Sequence, residues 1–318
     1  MADTFDVLTT GRLAADLYAN EIGVPLADVK TFSIYVGGSP ANVAVGSRRL
    51  GLNVAIASRV GVGGLSDGLL KFLESEGIST RYVTRDAEHH TGLAFLSILP
   101  PDTFPLVYYR PDPADLHLNK GDIADAPVEQ SRILFLAGTN FSADPSRTAM
   151  LAALERAREA QTRTVLDLDL RPTLWPDAAS YGLMLRRALP LVDIAIGTEE
   201  EIIATAGTAT IEEAVTLIRS AVSEAVVVKR GQDGAQVYTV QGDTHEAAPF
   251  TVEVLNVLGA GDAWASGFIY GLLQGWDWAT CARFGNATGA IIVTRHACAN
   301  DMPTLEEVHS FIDEQGGL

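Results

Sequence analysis

Several short stretches of this chain stay apolar through most successive positions instead of alternating, and that habit narrows its folding more than any other feature. Ile133 to Ala137, Thr164 to Leu168, Val192 to Ile196 and Ala225 to Lys229 are of this kind, and Phe5 to Thr9 and Val54 to Arg59 read as strands before them. A strand with one wet face alternates apolar and polar residues, so a run without alternation is covered on both faces. Between the runs lie helical patterns: Ser39 to Leu50, with Ala41, Ala44 and Gly46 as small residues on its face, Asp67 to Glu76 ending at Gly77, and Pro145 to Ala160. Strands alternating with helices predict βαβ units and an α/β fold, a mainly parallel sheet with helices on both faces.

Two segments break this rhythm. Leu13 to Val36 and Thr91 to Tyr109 hold short alternating runs, such as Phe32 to Val36 and Leu93 to Ile98. They are predicted as strands of a small separate sheet, lying within about residues 12–36 and 91–110, that protrudes as a lid. The stretch from Ala260 to Thr294 reads as two consecutive helices broken near Gly275 to Asp277. A last helix covers Thr304 to Glu314, with Thr304 as N-cap and Glu307 completing a capping box. With 318 residues, 47% of them apolar, the chain suits one domain over residues 1–318.

Composition removes several classes. Lys and Arg number 23 against 40 Asp and Glu, a net charge of −17, which repels nucleic acid and anionic membranes. The two cysteines, Cys281 and Cys298, form no CxxC pair, so neither a zinc knuckle nor a disulfide framework is expected, and free thiols suit a reducing cytoplasm. Met1 to Thr10 lack the pattern of a signal peptide, and no apolar run approaches the roughly 18 residues of a membrane span. The chain has no GxxxxGK[ST], GxSxG or HExxH. The nearest approach to GxGxxG, at Gly259 to Trp264, fails at its last position, which argues against a nicotinamide fold.

That same segment, Asn256-Val257-Leu258-Gly259-Ala260-Gly261-Asp262-Ala263-Trp264-Ala265-Ser266-Gly267, carries the strongest chemical signal. Small residues gather where a long helix begins. Free N–H groups and the dipole there make an anion site, and glycines let a phosphate approach the backbone. An Asp in the first turn either complements the dipole or serves as a general base beside a transferred phosphoryl group. A second signal, Gly37-Gly38-Ser39-Pro40-Ala41-Asn42, is a well-made helix start that also places an amide in the first turn.

Together these segments resemble the signatures of the ribokinase-like (pfkB) carbohydrate kinases, and the resemblance covers nearly the whole chain. It implies that Asp262 takes the proton from a sugar hydroxyl while amides around Gly259, Ala260 and Gly261 form an anion hole. It implies that Gly37, Gly38 and Asn42 contact sugar hydroxyls, with Asp16, shortly after the first strand, as a sugar anchor. Thr198-Glu199-Glu200-Glu201 stands where the family shows Asn-x-x-Glu, which implies Thr198 near the nucleotide and Glu201 holding Mg2+ through water; a register one residue earlier selects Gly197 and Glu200. The same resemblance makes Lys229, Gly231, Gly234 and Asn286 candidates beside ATP. Two positions depart from the family: Asn256-Val257 replaces the usual Asp-Thr, and the acidic residue of Gly61 to Gly68 is displaced.

Arg is suited to a bidentate grip on a carboxylate, and two arginines fall at telling places. Tyr109-Arg110 closes the second lid segment, and Arg171 follows a central strand at its carboxyl end, where open α/β sheets bind ligands. The Arg171-Pro172-Thr173-Leu174-Trp175 pattern resembles the branch of the family acting on keto-deoxy sugar acids. Gly23 to Leu26, Asn256 to Leu258, Gly197 to Glu200 and Arg295 to Cys298 with Met302 to Thr304 narrow that resemblance to kinases of 5-dehydro-2-deoxygluconate in myo-inositol breakdown. The alternatives in order are 2-keto-3-deoxygluconate, then fructose or ribose, and, from another class, a sugar sensor without catalysis. The resemblance also implies a lid-paired homodimer and leaves room for a monovalent cation such as K+.

Overall fold

Ala225 to Val228 are all buried, and their side chains divide between two cores. Ala225 and Val227 join one apolar cluster, Val226 and Val228 another. Ile133 and Phe135 separate from Leu134 and Leu136 in the same way, so the missing alternation reflects a sheet covered on both faces.

The computed structural model describes residues 4–99 and 103–318. The first part of the chain forms β1 (Phe5–Thr10), β2 (Ala14–Ala19), β3 (Phe32–Gly37), α1 (Ser39–Arg49), β4 (Val54–Gly61), α2 (Gly64–Ser75), β5 (Ser79–Asp86), β6 (Leu93–Leu96), β7 (Leu106–Tyr109) and α3 (Lys120–Asp125). Then come β8 (Ser131–Ala137), α4 (Ser146–Ala160), β9 (Arg163–Asp167), α5 (Ala178–Ala188), β10 (Ile194–Thr198), α6 (Glu199–Ala206), α7 (Ile211–Arg219) and β11 (Ala225–Lys229). The hairpin β12 (Ala235–Thr239) and β13 (Thr244–Ala247) leads to α8 (Ala260–Gln274), α9 (Trp278–Ile292) and α10 (Leu305–Glu314).

The main sheet has nine strands in the order β13-β12-β11-β10-β9-β8-β1-β4-β5. The strands from β11 to β5 pair in parallel, and β12 and β13 add an antiparallel edge. A second sheet, in the order β3-β2-β6-β7, is woven from the two segments that broke the rhythm of the sequence. Its centre is a parallel pair, β2 with β6, flanked by antiparallel β3 and β7.

The helical break at Gly275 and the capping box of Thr304 and Glu307 are both present. Helix α2 begins at Gly64, three residues before the predicted Asp67, because Gly63 at φ 133° makes the turn from β4. The helices α5, α6 and α7, the strand β5 and the β12–β13 hairpin are elements that the sequence patterns above did not single out.

Candidate active site

Gly259 caps the N-terminus of α8, and its φ of 84° lies in the left-handed region; a Cβ there would also overlap Cys298 Sγ. Asp262 is the third residue of the helix. Ala263 N–H makes the first intrahelical bond, to Gly259 O, and Ala260 N–H turns back to Val257 O at 3.3 Å. Among the described residues the N–H groups of Gly259, Gly261 and Asp262 therefore have no protein partner, while that of Ala260, one of the three amides expected, is turned back to Val257.

Helix α1 crosses α8 closely because Gly46 has no side chain: a Cβ there would meet Ser266 Oγ. That contact brings Asn42 onto Asp262, with Nδ2 donating to Oδ2 at 2.7 Å. Asn42 is 5% exposed and its Oδ1 has no protein partner. Burial pushes the Asp262 carboxyl above its ordinary range, and the charge of Asp169 adds to that, while the Asn42 bond and Arg171 oppose it. A part-buried carboxylate with a raised pKa, held by an amide, is fit to accept a proton.

Asp16 lies on β2 in one cross-sheet row with Tyr35, Ala94 and Tyr108. A Cβ at Gly37 would overlap the Asp16 carboxylate, and one at Gly38, where φ is 97°, would overlap Arg12 O. The glycine pair thus makes room for the Arg12–Asp16 stretch. Burial, reinforced by Asp262, pushes Asp16 up to about 6, against the pull of Arg12.

Arg12 is the residue that the sequence patterns did not single out. Gly11 ends β1, and the buried Asn140 Oδ1 accepts the Arg12 N–H at 3.1 Å. The Arg12 guanidinium lies over the Tyr108 ring, 5.6 Å from its centroid. It is 6% exposed, and its Nε has no protein partner. Burial works against its charge, but Tyr108, Asp169 and Asp16 reverse that and keep it protonated. Its position just past the carboxyl end of a central parallel strand was the available signal. Arg171 bonds Asp169 Oδ1 at 2.9 Å, and its Nε is likewise buried and unpartnered. Asp169 holds a left-handed φ of 38° and accepts from Thr139 Oγ1 at 3.1 Å.

Two predicted carboxylate-side residues sit elsewhere. Arg110 pairs through Nη2 with Asp115, side chains 4% and 1% exposed, while its Nε has no protein partner. Tyr109 shares its row with Leu93 and is 60% exposed, while its neighbour Tyr108 turns to the site. Adjacent strand residues face opposite ways, so a shift of one position reverses the assignment.

The nucleotide-side candidates gather at the carboxyl ends of β9, β10 and β11. Asp167, Thr198 and Lys229 are the last residues of those strands. Lys229 Nζ bonds Asp167 Oδ2 at 2.8 Å and lies 3.2 Å from where a Cβ of Gly261 would be, so an ammonium stands beside the free amides of α8. Burial pushes Asp167 up to about 7, with Lys229 opposing it. Gly231 and Gly234 turn β11 into β12 with φ of 56° and 83°. Thr198 and Glu201 close a capping box on α6: Glu201 Oε2 accepts from Thr198 N–H at 2.7 Å, and Oε1 accepts from Leu170 N–H at 3.0 Å. Asn286 departs from its expected role as a nucleotide contact. Its Oδ1 accepts from Trp264 Nε1 at 2.8 Å and its Nδ2 donates to the carbonyls of Ala247 and Ala248, so its amide is spent inside the protein.

A carboxylate, helix-terminal amides and an ammonium converge at the carboxyl ends of the sheet's interior strands. That arrangement defines an enzyme which moves a phosphoryl group onto a hydroxyl. Residues 4–305 match the model of the pfkB family carbohydrate kinases, and the chain belongs to that family. It is an ATP-dependent carbohydrate kinase. It is 36% identical over 314 residues to a 5-dehydro-2-deoxygluconokinase of Shouchella clausii, covering 98% of this chain and 96% of that one. Among solved structures it resembles a fructokinase of Xylella fastidiosa with bound ATP, at 27% identity and a TM-score of 0.88, covering 98% of this chain and 99% of that one. It also resembles a fructokinase variant of Vibrio cholerae bound to fructose, ADP and a potassium ion, at 25% identity and a TM-score of 0.86, with the same coverage.

Proposed function

We propose that the acceptor is a sugar acid, 5-dehydro-2-deoxy-D-gluconate. The observation that carries this reading is the pair Arg12 and Arg171, each with a buried, unpartnered Nε, next to Asp16 and Asp262. Two guanidinium groups beside a hydroxyl-binding carboxylate suit an acceptor that carries a carboxylate of its own. The hydroxyls of a neutral sugar could accept from both donors, but only a carboxylate brings a charge opposite to the two guanidinium groups. The name of the Shouchella clausii relative supports the same substrate, which would place the enzyme in myo-inositol breakdown. The acid 2-keto-3-deoxygluconate is the second reading, since the same pair of arginines would bind it.

In the mechanism, Arg12 and Arg171 hold the carboxylate and Asp16 accepts hydroxyl hydrogens, together fixing the acceptor. Asn42 donates to Asp262 and aims its carboxylate. Asp262 takes the proton of the attacking hydroxyl. The free amides of Gly261 and Asp262, with Lys229, stabilise negative charge on the phosphoryl oxygens. Mg2+ bound with the nucleotide supplies further charge neutralisation. Glu201 is the residue to hold it through water, since each of its oxygens accepts one N–H bond and keeps a lone pair. The second sheet closes over the acceptor and excludes water.

The reading extends to assembly and setting. Ile34, Leu17, Phe95 and Val107 form an apolar row across the second sheet, and Ile34 is 56% exposed. A second copy of this chain would cover that row as a lid-paired dimer. A K+ requirement and a cytoplasmic location belong to the same proposal; no helix among the described residues is long and apolar enough to cross a membrane.

The test is ADP release with Mg2+ and ATP against 5-dehydro-2-deoxygluconate, 2-keto-3-deoxygluconate, fructose and ribose. The 5-dehydro acid is expected to give the highest kcat/KM. Preference for a neutral sugar would overturn the carboxylate site, and preference for 2-keto-3-deoxygluconate would move the enzyme to the second reading.

A further inference from the structure

Away from the active site, His89, Asp112 and His117 bring one ligand atom each to within 4.8 Å of one another. His89 lies between β5 and β6, and Asp112 and His117 lie between β7 and α3. The cluster therefore joins the chain entering the β6–β7 hairpin to the chain leaving it. The two imidazole rings stack with centroids 3.4 Å apart and planes 15° from parallel. His117 Nε2 lies 2.6 Å from Asp112 Oδ1, and His89 Nε2 lies 3.5 Å from Asp112 Oδ2.

The protonation pattern follows from the partners. His89 Nδ1 is 3.1 Å from Asp86 Oδ1. An ionised carboxylate only accepts, so Nδ1 of His89 carries the hydrogen. In the neutral ring, Nε2 then presents a lone pair to a carboxylate oxygen that also only accepts. A cation there satisfies both acceptors, either a proton on Nε2 or a metal ion. One divalent ion answers both rings and the carboxylate together.

We infer that His89 Nε2, His117 Nε2 and an Asp112 oxygen bind a transition-metal ion of the zinc class, with water completing the shell. Imidazole with one carboxylate suits Zn2+, Co2+ or Ni2+ rather than the oxygen-seeking Mg2+ of a nucleotide site. Asp86 on the far nitrogen of His89 is the outer partner that metal-bound histidines commonly have. The rings splay about χ2 to converge on the ion, and Asp112, with a side chain 72% exposed, is free to follow. The ion ties residues 87–92 to residues 110–117 and so stiffens the root of the hairpin.

The experiment uses the full chain, stripped with a chelator and titrated with Co2+ alone in the absence of nucleotide. One Co2+ per chain with visible ligand-field absorption is expected. Asp112→Asn and the double variant His89→Gln/His117→Gln should each weaken binding by at least about tenfold while far-UV circular dichroism stays native. Zn2+ should also slow amide exchange in residues 87–92 and 110–117. Absence of Co2+ binding, or binding unchanged in the double variant, overturns the site; unchanged exchange in both segments overturns its role as a tie.

Discussion

Asn42 Nδ2 donates to Asp262 Oδ2 at 2.7 Å, so the first turn of one helix holds the carboxylate proposed as the base at the start of another. The bond favours the charged carboxylate and works against the burial that raises it. Asn42→Ala removes that support, and the Asp262 pKa moves further up. A base has to be deprotonated to act, so the acid limb of the pH profile of kcat/KM shifts to higher pH. An unmoved limb with reduced kcat would show that Asn42 does not act through Asp262.

Asp262→Asn removes the base while keeping its shape and its contact with α1. Turnover is expected to fall by about 100- to 10,000-fold, the range typical of general-base loss. Nucleotide affinity, read by calorimetric titration with Mg-ATP, should stay near native. Near-native turnover would return Asp262 to the simpler role of complementing the helix dipole.

Arg12 and Arg110 should separate cleanly when replaced. Arg12→Met is expected to lower kcat/KM for the sugar acid by about 10- to 100-fold, from the loss of a charge-assisted bond. Its effect on any residual fructose turnover should be small. Arg110→Ala leaves Asp115 as an uncompensated charge at 1% exposure, and denaturant unfolding should show a loss of about 3–5 kcal/mol. Equal effects of both replacements on KM would restore Arg110 to the substrate side.

Asp16 links function to stability through pH. Burial pushes its folded pKa up to about 6, above the unfolded carboxyl value. The folded state then binds more protons than the unfolded state between about pH 4 and pH 6, so the Asp16 contribution to stability falls as pH rises through that window. Asp16→Asn should therefore raise Tm relative to the native chain at pH 8, with the gain shrinking toward pH 4, while turnover collapses. A Tm gain independent of pH would separate the effect from ionisation.

Gly37→Ala tests the same carboxylate by crowding it, because the added Cβ overlaps the Asp16 side chain. KM for the acceptor should rise by roughly an order of magnitude, as expected for one displaced charge-assisted bond. An unchanged KM would show that Asp16 can move without loss of the acceptor.

Much of this site was legible because helix starts write themselves into sequence. Gly259 to Asp262 and Gly38 to Asn42 are local patterns whose chemistry depends on the first turn alone. The misplaced residues depended on partners that no periodic pattern reveals. The choice of Tyr108 over Tyr109 rests on the register of β7 against β6, which four-residue strands do not disclose. Arg110 was diverted by Asp115, five residues on, across a turn with no periodic signature. Asn286 was consumed by Trp264 and by the carbonyls of Ala247 and Ala248, nearly forty residues away in the chain. Arg12 falls in no motif of the sequence, and its backbone is fixed by Gly11 and by Asn140, 128 residues on. The parallel sheet was readable throughout its centre, whereas the β12–β13 edge lies where one face is wet and the apolar runs are short.

The weaving of the second sheet has a mechanical consequence. Its four strands come from two separate excursions of the chain, and β2 and β6, one from each, are paired at its centre. It is moored to the main sheet at four points, by Gly11 to Leu13, by Gly38, by residues 87–92 and by residues 110–113. A plate moored at four points can rock through a small angle but cannot swing aside like a flap on one strap. If the plate closes over the acceptor as proposed, opening and closing become a tilt of the whole plate, and Asp16 and Tyr108, in one row on it, would move together.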